Sequence, residues 1–276
     1  LDWFFIIYLG LDIQWAAIAT IIAQGSVFIA SVFYLNKTHK IIHFSFARLR
    51  FDKEIFKKSM AIGLPSGIQA TLVGLSMVGL MWIINPFGKA VTAAFGAASR
   101  IDALASLPAM NFAAALATFV GQNMGANRPE RVKKGLIATW LMTTVVSVTV
   151  TVIVILFNKQ LIGLFAETEE MIAIGSDYLI IVSSFYAVFT TMFIIGGVMR
   201  GAGDTLIPMF ITLFAVWVVR LPVAWLLSRT SLGVHGIWWA IPIGWATGMT
   251  LVCLYYSTGR WKKKVIVRPA IVEEPA

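Results

Sequence analysis

Polar side chains are sparse in this chain, and those that interrupt its apolar runs are the candidates for chemistry. The stretch from Thr92 to Lys134 holds Arg100, Asp102 and Asn111 inside a run long enough to cross a bilayer. Polar groups at that depth usually face a protein interior or a water-filled cavity. At 100° per residue Arg100, Asn111, Thr118 and Gln122 fall within about 40° of one another, which makes one stripe. Asp102 points about 160° away from Arg100, towards Ser99 and Ser106. Gln69 and Ser76 share a face with Pro65, while Asp177, Ser184 and Thr191 recur every seven residues. Such stripes could converge on a wet cavity that binds an amphipathic cation. Gln69, Arg100, Asn111 and Asp177 are the candidate cavity residues, and the Ser and Thr are expected to bond between helices instead. Arg220, within two turns of its span's end, is expected to snorkel to the membrane surface. The chain lacks a His–Asp catalytic pair at a membrane edge, an Asp-rich metal motif and a phosphate-binding glycine loop, which argues against an enzyme and against a metal site.

The elements that position these residues follow from composition. Hydrophobic residues are 59% and charged residues 13%, against roughly 45–50% and 25% in soluble domains. An all-α, polytopic membrane protein is the class that fits. Seven spans are predicted, at about 12–35, 60–84, 90–120, 135–157, 171–197, 206–227 and 233–256. Residues 3–9 are too short to cross and read as the end of an earlier span. Pro108 is the expected kink in the third. The net charge of +9 lies in loops between spans, which favours headgroups over nucleic acid. Seven Lys and Arg fall in 36–58, four in 121–134, Arg200 in the next loop on that side and five after 257; the other side has Lys89, Lys159 and Arg229. This asymmetry predicts that the basic loops and the C-terminus are cytoplasmic. Segment 36–58 reads as a basic linker with a helix lying on the membrane, and 265–276 as a disordered tail. His39, His43 and His235 are assigned to loops, and the lone Cys253 permits no intrachain disulfide. The start at Leu1, without a charged leader, reads as a cut into something longer.

An internal repeat organises the spans. Leu9-Gly10-Leu11-Asp12-Ile13-Gln14-Trp15-Ala16-Ala17-Ile18 matches Leu232-Gly233-Val234-His235-Gly236-Ile237-Trp238-Trp239-Ala240-Ile241 at Leu, Gly, Trp, Ala and Ile. Both copies open a span ending in a basic stretch, so the repeat is parallel, with six spans per unit. Parallel halves are a known transporter plan.

Two loops carry a family resemblance. The segment from Val120 to Arg131 and the segment from Met199 to Thr205, with Pro208 and Arg220-Leu221-Pro222 beyond, resemble signatures of the multidrug and toxic compound extrusion (MATE) transporters. Gly63-Leu64-Pro65 also fits. The resemblance implies two six-helix lobes around a central cleft. Residues 1–35 would be the end of the N-lobe (a stub and its last span), 36–58 a cytoplasmic linker, 59–258 the complete C-lobe and 259–276 a cytoplasmic tail. Gly121, Gln122, Gly125, Arg200, Gly201 and Gly203 are assigned to the loop motifs, where the glycines are expected to end helices and permit positive φ. At the two positions where the sodium-coupled branch has acidic residues, this chain has Val73 and Phe189. A coupling proton or sodium ion is therefore expected on residues outside this chain, and no cofactor is expected.

The implied function is a piece of a secondary antiporter in a prokaryotic inner membrane. It would export organic cations by alternating access, and its partners would be the bilayer and a missing N-lobe. A lipid-linked oligosaccharide flippase of the same superfamily is the alternative, since an inward Arg100 suits an anionic pyrophosphate.

Overall fold

The computed structural model describes residues 4–8, 14–38, 50–166 and 168–264. Among these, every regular element is helical, which is what a bilayer demands of a chain that must satisfy its own backbone. The helices are α1 (Gln14–Thr38), α2 (Lys53–Ile84), α3 (Lys89–Gly125), α4 (Pro129–Leu156), the short α5 (Asn158–Gly163), α6 (Glu169–Ser183), α7 (Tyr186–Gly201), α8 (Leu206–Leu213), a π-helical segment (Phe214–Arg220), α9 (Leu221–Ser228) and α10 (Val234–Ser257). Among the described residues six helical stretches are long and apolar enough to span a membrane, namely α1 to α4, α10 and the run of α8, the π segment and α9, and α6 with α7 makes a seventh if the bent pair is counted as one. The protein is a multi-pass membrane protein, and all seven predicted spans have their counterparts.

The chain divides into two units, Leu1–Phe56 and Lys57–Ala276. The first contains α1, an almost wholly exposed apolar helix in which Ala19 alone among the described residues is buried. The first repeat copy is only partly visible, because 9–13 lie outside the described residues. So do His39, His43 and residues 39–49 of the expected linker 36–58, as well as the tail 265–276, while 36–38 belong to α1 and 53–58 to α2. Beyond them α2 begins earlier than predicted. Asp52 caps it, its Oδ1 accepting from the Glu54 and Ile55 N–H groups at 2.8 and 3.0 Å.

In the second unit α3 packs on α4, α6 and α7, and α10 packs on α6, α7, the π segment and α9. One core gathers Leu80, Ile84, Phe95, Tyr178 and Trp238. Phe95 and Trp238 stack with centroids 5.7 Å apart, and Tyr178 meets both edge-on. A second core gathers Leu116, Val120, Ile194, Met199 and Trp261 nearer the basic loops. Between α3 and α7 the backbones nearly touch. A Cβ on Gly197 would stand 2.6 Å from the Ala113 carbonyl oxygen, one on Gly201 would overlap the Ala117 carbonyl, and one on Gly121 would press the Gly201 carbonyl. Two four-residue ladders of small residues therefore interlock, a packing mode suited to membranes. This corrects part of the expectation for the loop glycines: Gly125 and Gly201 do end α3 and α7, but Gly121 lies a turn inside α3. Gly121, Gly125 and Gly201 are helical, and of the four only Gly203, at φ +89°, needs the left-handed region.

Two spans are broken in ways the sequence did not announce. α6 and α7 meet at 49° without a proline. At the break the Ser183 carbonyl accepts a hydrogen bond from Thr151 Oγ1 of α4 at 2.7 Å, which satisfies a group the helix has released. The bend ends the seven-residue stripe: Ser184 bonds its own Ile180 carbonyl, and Thr191 receives the Trp140 indole N–H at 3.0 Å. The second break is the π segment, which ends just before Pro222 at the start of α9. Proline removes one helix bond and crowds the carbonyl four residues back, and a widened turn accommodates it. α3, by contrast, continues through Pro108 as one 37-residue helix.

Candidate functional site

The predicted cavity residues fall in three places. Arg100 and Asn111 are exposed on α3, on the side opposite buried Ala98, Ala109, Ala113 and Leu116. The Arg100 guanidinium lies 5.7 Å from the Phe165 ring centre, and Asn111 Nδ2 donates to the Leu107 carbonyl at 3.0 Å. Thr118 and Gln122 continue the exposed stripe, so the calculated alignment appears in the helix. Gln69 lies elsewhere. Its Nε2 donates to Thr212 Oγ1 at 3.0 Å, and the pair borders a cavity of about 20 Å³, the size of one water. Arg200 lines the same cavity, folded back along α7 over Gly196, where a Cβ would meet its Nη1 at 3.2 Å. Asp177 stands apart again in the middle of α6, half-exposed, with Oδ2 3.1 Å from His235 Nε2. His235 lies in the first turn of α10 and not in a loop, and with Asp177 it makes an exposed His–Asp pair, which corrects the expectation that the chain has none.

Sequence reasoning missed a fourth group, and it is the most buried. Arg220 does not snorkel. It is 7% exposed at the end of the π segment, and its Nη2 donates to Ser76 Oγ on α2 at 2.6 Å. The Asp102 carboxyl receives a long bond of 3.4 Å from the Tyr178 hydroxyl at Oδ2. The Tyr186 hydroxyl and Arg220 also face this carboxyl. Tyr186 reaches towards it without hydrogen-bond geometry. Asp102 Oδ1, Arg220 Nε, the Tyr186 hydroxyl and Trp238 Nε1 are all buried and unbonded. Five elements contribute: α2, α3, α6, α7 and the π segment, with α10 closing the side through Trp238. The only advance signal was a pair of opposite charges, Asp102 and Arg220, both inside apolar spans.

The basic-end loops are built from helix ends. α3 closes with Asn127 at φ +55°, its N–H on the Met124 carbonyl and that of Arg128 on the Asn123 carbonyl at 2.8 Å, and Pro129 then opens α4. After α7, Gly203 turns the chain so that the buried Asp204 accepts from the Tyr255 hydroxyl at 2.5 Å and Thr205 Oγ1 donates to the Ala61 carbonyl at 3.3 Å. The loop motif thereby ties α2 and α10 to the end of α7.

Comparison with known proteins gives this architecture a family. The family model described as MatE matches residues 65–226, more than half of the chain and all of the buried group around Asp102 and Arg220 except Trp238. The chain belongs to the MATE transporter family. The probable multidrug resistance proteins YoeA and YpnP of Bacillus subtilis (strain 168) are 32% and 33% identical to it, over 94% of this chain and 56% and 57% of their own lengths. The chain thus spans little more than half of these MATE relatives. A protein named FAD transporter from Shewanella oneidensis is 25% identical, over 84% of this chain and 51% of its own. Among solved structures, an outward-facing multidrug resistance MATE transporter of the MOP superfamily superposes with a TM-score of 0.87 at 22% identity, covering 95% of this chain and 60% of that one. Within this MATE fold, Phe189 packs on Phe193 and Trp245, with ring centres 4.4 and 4.9 Å away, where the resemblance led one to ask about an acidic residue.

Proposed function

We propose that residues 59–258 form the C-lobe of a secondary antiporter that exports organic cations against protons or sodium by alternating access. Residues 1–35 complete the N-lobe, 36–58 links the lobes, and 259–276 is a cytoplasmic tail of an inner-membrane protein. One observation carries this reading: the exposed Arg100–Asn111–Thr118 stripe on α3, whose opposite side is packed into the core. A stripe of that polarity at membrane depth is stable against water or protein rather than acyl chains. A facing N-lobe wall across a wet cleft supplies both. Gln69 and Asp177, which pair with Thr212 and His235, would act apart from Arg100. The loop glycines would keep α3 and α7 together as the lobe rocks.

The test is dye efflux by the full-length gene in a host stripped of its own exporters. Cells carrying it should accumulate less cationic dye, and an ionophore should abolish the difference. Asn111→Ala should raise the half-saturating dye concentration about tenfold, the scale of one hydrogen bond of about 1.4 kcal/mol. Unchanged accumulation of every cationic dye tried would refute cation export. An anionic cargo, such as a lipid-linked oligosaccharide pyrophosphate, is the second reading. Arg100 favours it, since its guanidinium lies over the Phe165 ring and not on a carboxylate. The name of the Shewanella relative points the same way.

A further inference from the structure

The polar group around Asp102 has acceptors and donors that do not meet. Asp102 Oδ1 is buried and unbonded; so are Arg220 Nε and the Tyr186 hydroxyl. Unmet groups at this depth are costly, and a carboxylate is the costliest of them. Arg220 is near enough to act on Asp102 electrostatically, yet its hydrogen bond goes to Ser76. The carboxyl is thus buried without a cation in contact, beside one that is held elsewhere. We infer that Asp102 is a proton-binding site of this lobe, which takes up and releases a proton during the transport cycle.

The arrangement selects the ion. Arg220 opposes sodium and a proton alike, since each adds one positive charge, but a proton needs only one oxygen whereas a metal ion needs several, and those facing this carboxyl are two tyrosine hydroxyls. The titratable groups facing Asp102 are Tyr178 from α6, Tyr186 from α7 and Arg220 from the π segment. When protonated, Oδ1 becomes a donor, and the Tyr186 hydroxyl oxygen that faces this carboxyl is an unbonded acceptor. When the proton leaves, the carboxylate competes with Ser76 for Arg220. That competition bears on α2, because Arg220 joins Gln69–Thr212 and the Trp217 bond to the Leu72 carbonyl in holding α2 to the span 206–228. The proton on α3 is thereby linked to the grip on α2.

The link to transport rests on the antiporter reading, but the proton site has its own readout. The full-length protein in lipid nanodiscs is examined by infrared difference spectroscopy between acidic and alkaline samples. Wild type should show a protonated-carboxyl band that Asp102→Asn loses. Tyr186→Phe, which keeps the carboxyl and removes its partner, should shift that band. If the spectra of wild type and Asp102→Asn coincide, the proposal fails. It fails too if the band is unmoved in Tyr186→Phe, a control that stands even where the Asn variant folds poorly. Dye efflux in the same variants separates the two claims. A titrating Asp102 in a protein that exports no dye keeps the proton site and removes the cation-export reading. Ionophore-sensitive efflux with identical spectra does the reverse.

Discussion

At the scale of single residues, intramembrane polar groups have divided into those facing out and those facing one another. Arg220 shows why position in a sequence misleads. Its distance from the helix end suited snorkelling, but Ser76 lies 144 residues away and spacing within one helix cannot find it. Ser76→Ala should destabilise the lobe by about 1.5–3 kcal/mol, because it takes a partner from a buried charge. Thermal unfolding in detergent would register this as a lower midpoint, and an unchanged midpoint would mean that water replaces the hydroxyl. The glycines were ambiguous in another way. A glycine after an apolar run signals either a turn or a close approach, and only the partner helix decides. Gly197→Val should cost more than about 3 kcal/mol, since its side chain meets the Ala113 backbone, which cannot move aside as a side chain could. Expression with loss of the monodisperse peak in size exclusion is the expected result. A Gly125→Val control, with open space around it, should behave as wild type.

At the scale of elements, span number and order were legible because about 20 apolar residues are a physical requirement of crossing. The polar stripe on α3 was legible for the same reason: a continuous helix preserves the 100° step. The stripe on the fifth span was not, since a 49° break resets the angle, and that break is held by a side chain from another helix. No proline or glycine marks it. Thr151→Val removes the donor to the Ser183 carbonyl and should cost about 1–3 kcal/mol by leaving that group unmet. The loss should be partly restored in Thr151→Ser, read as the thermal midpoint of each variant. Equal midpoints for the Val and Ser forms would show that the bend keeps itself. The π segment follows from Pro222, yet its outcome, a buried Arg220, depended on which way the widened turn faced.

At the scale of the molecule, the chain belongs to the MATE family and spans little more than half of its relatives' length. The second unit buries one side of α3 and leaves the Arg100–Asn111 side open, as half of a two-walled cleft would. The measurement that tests this most directly is water access at Asn111. In the full-length protein with Cys253→Ser, Asn111→Cys should react with a polar maleimide and be protected by a transported dye. Val145→Cys on α4, a 66% exposed apolar position, should stay unreactive if that face meets lipid. Equal silence at both positions would contradict the account, because Asn111 would then lie against acyl chains and α3 would line no cleft.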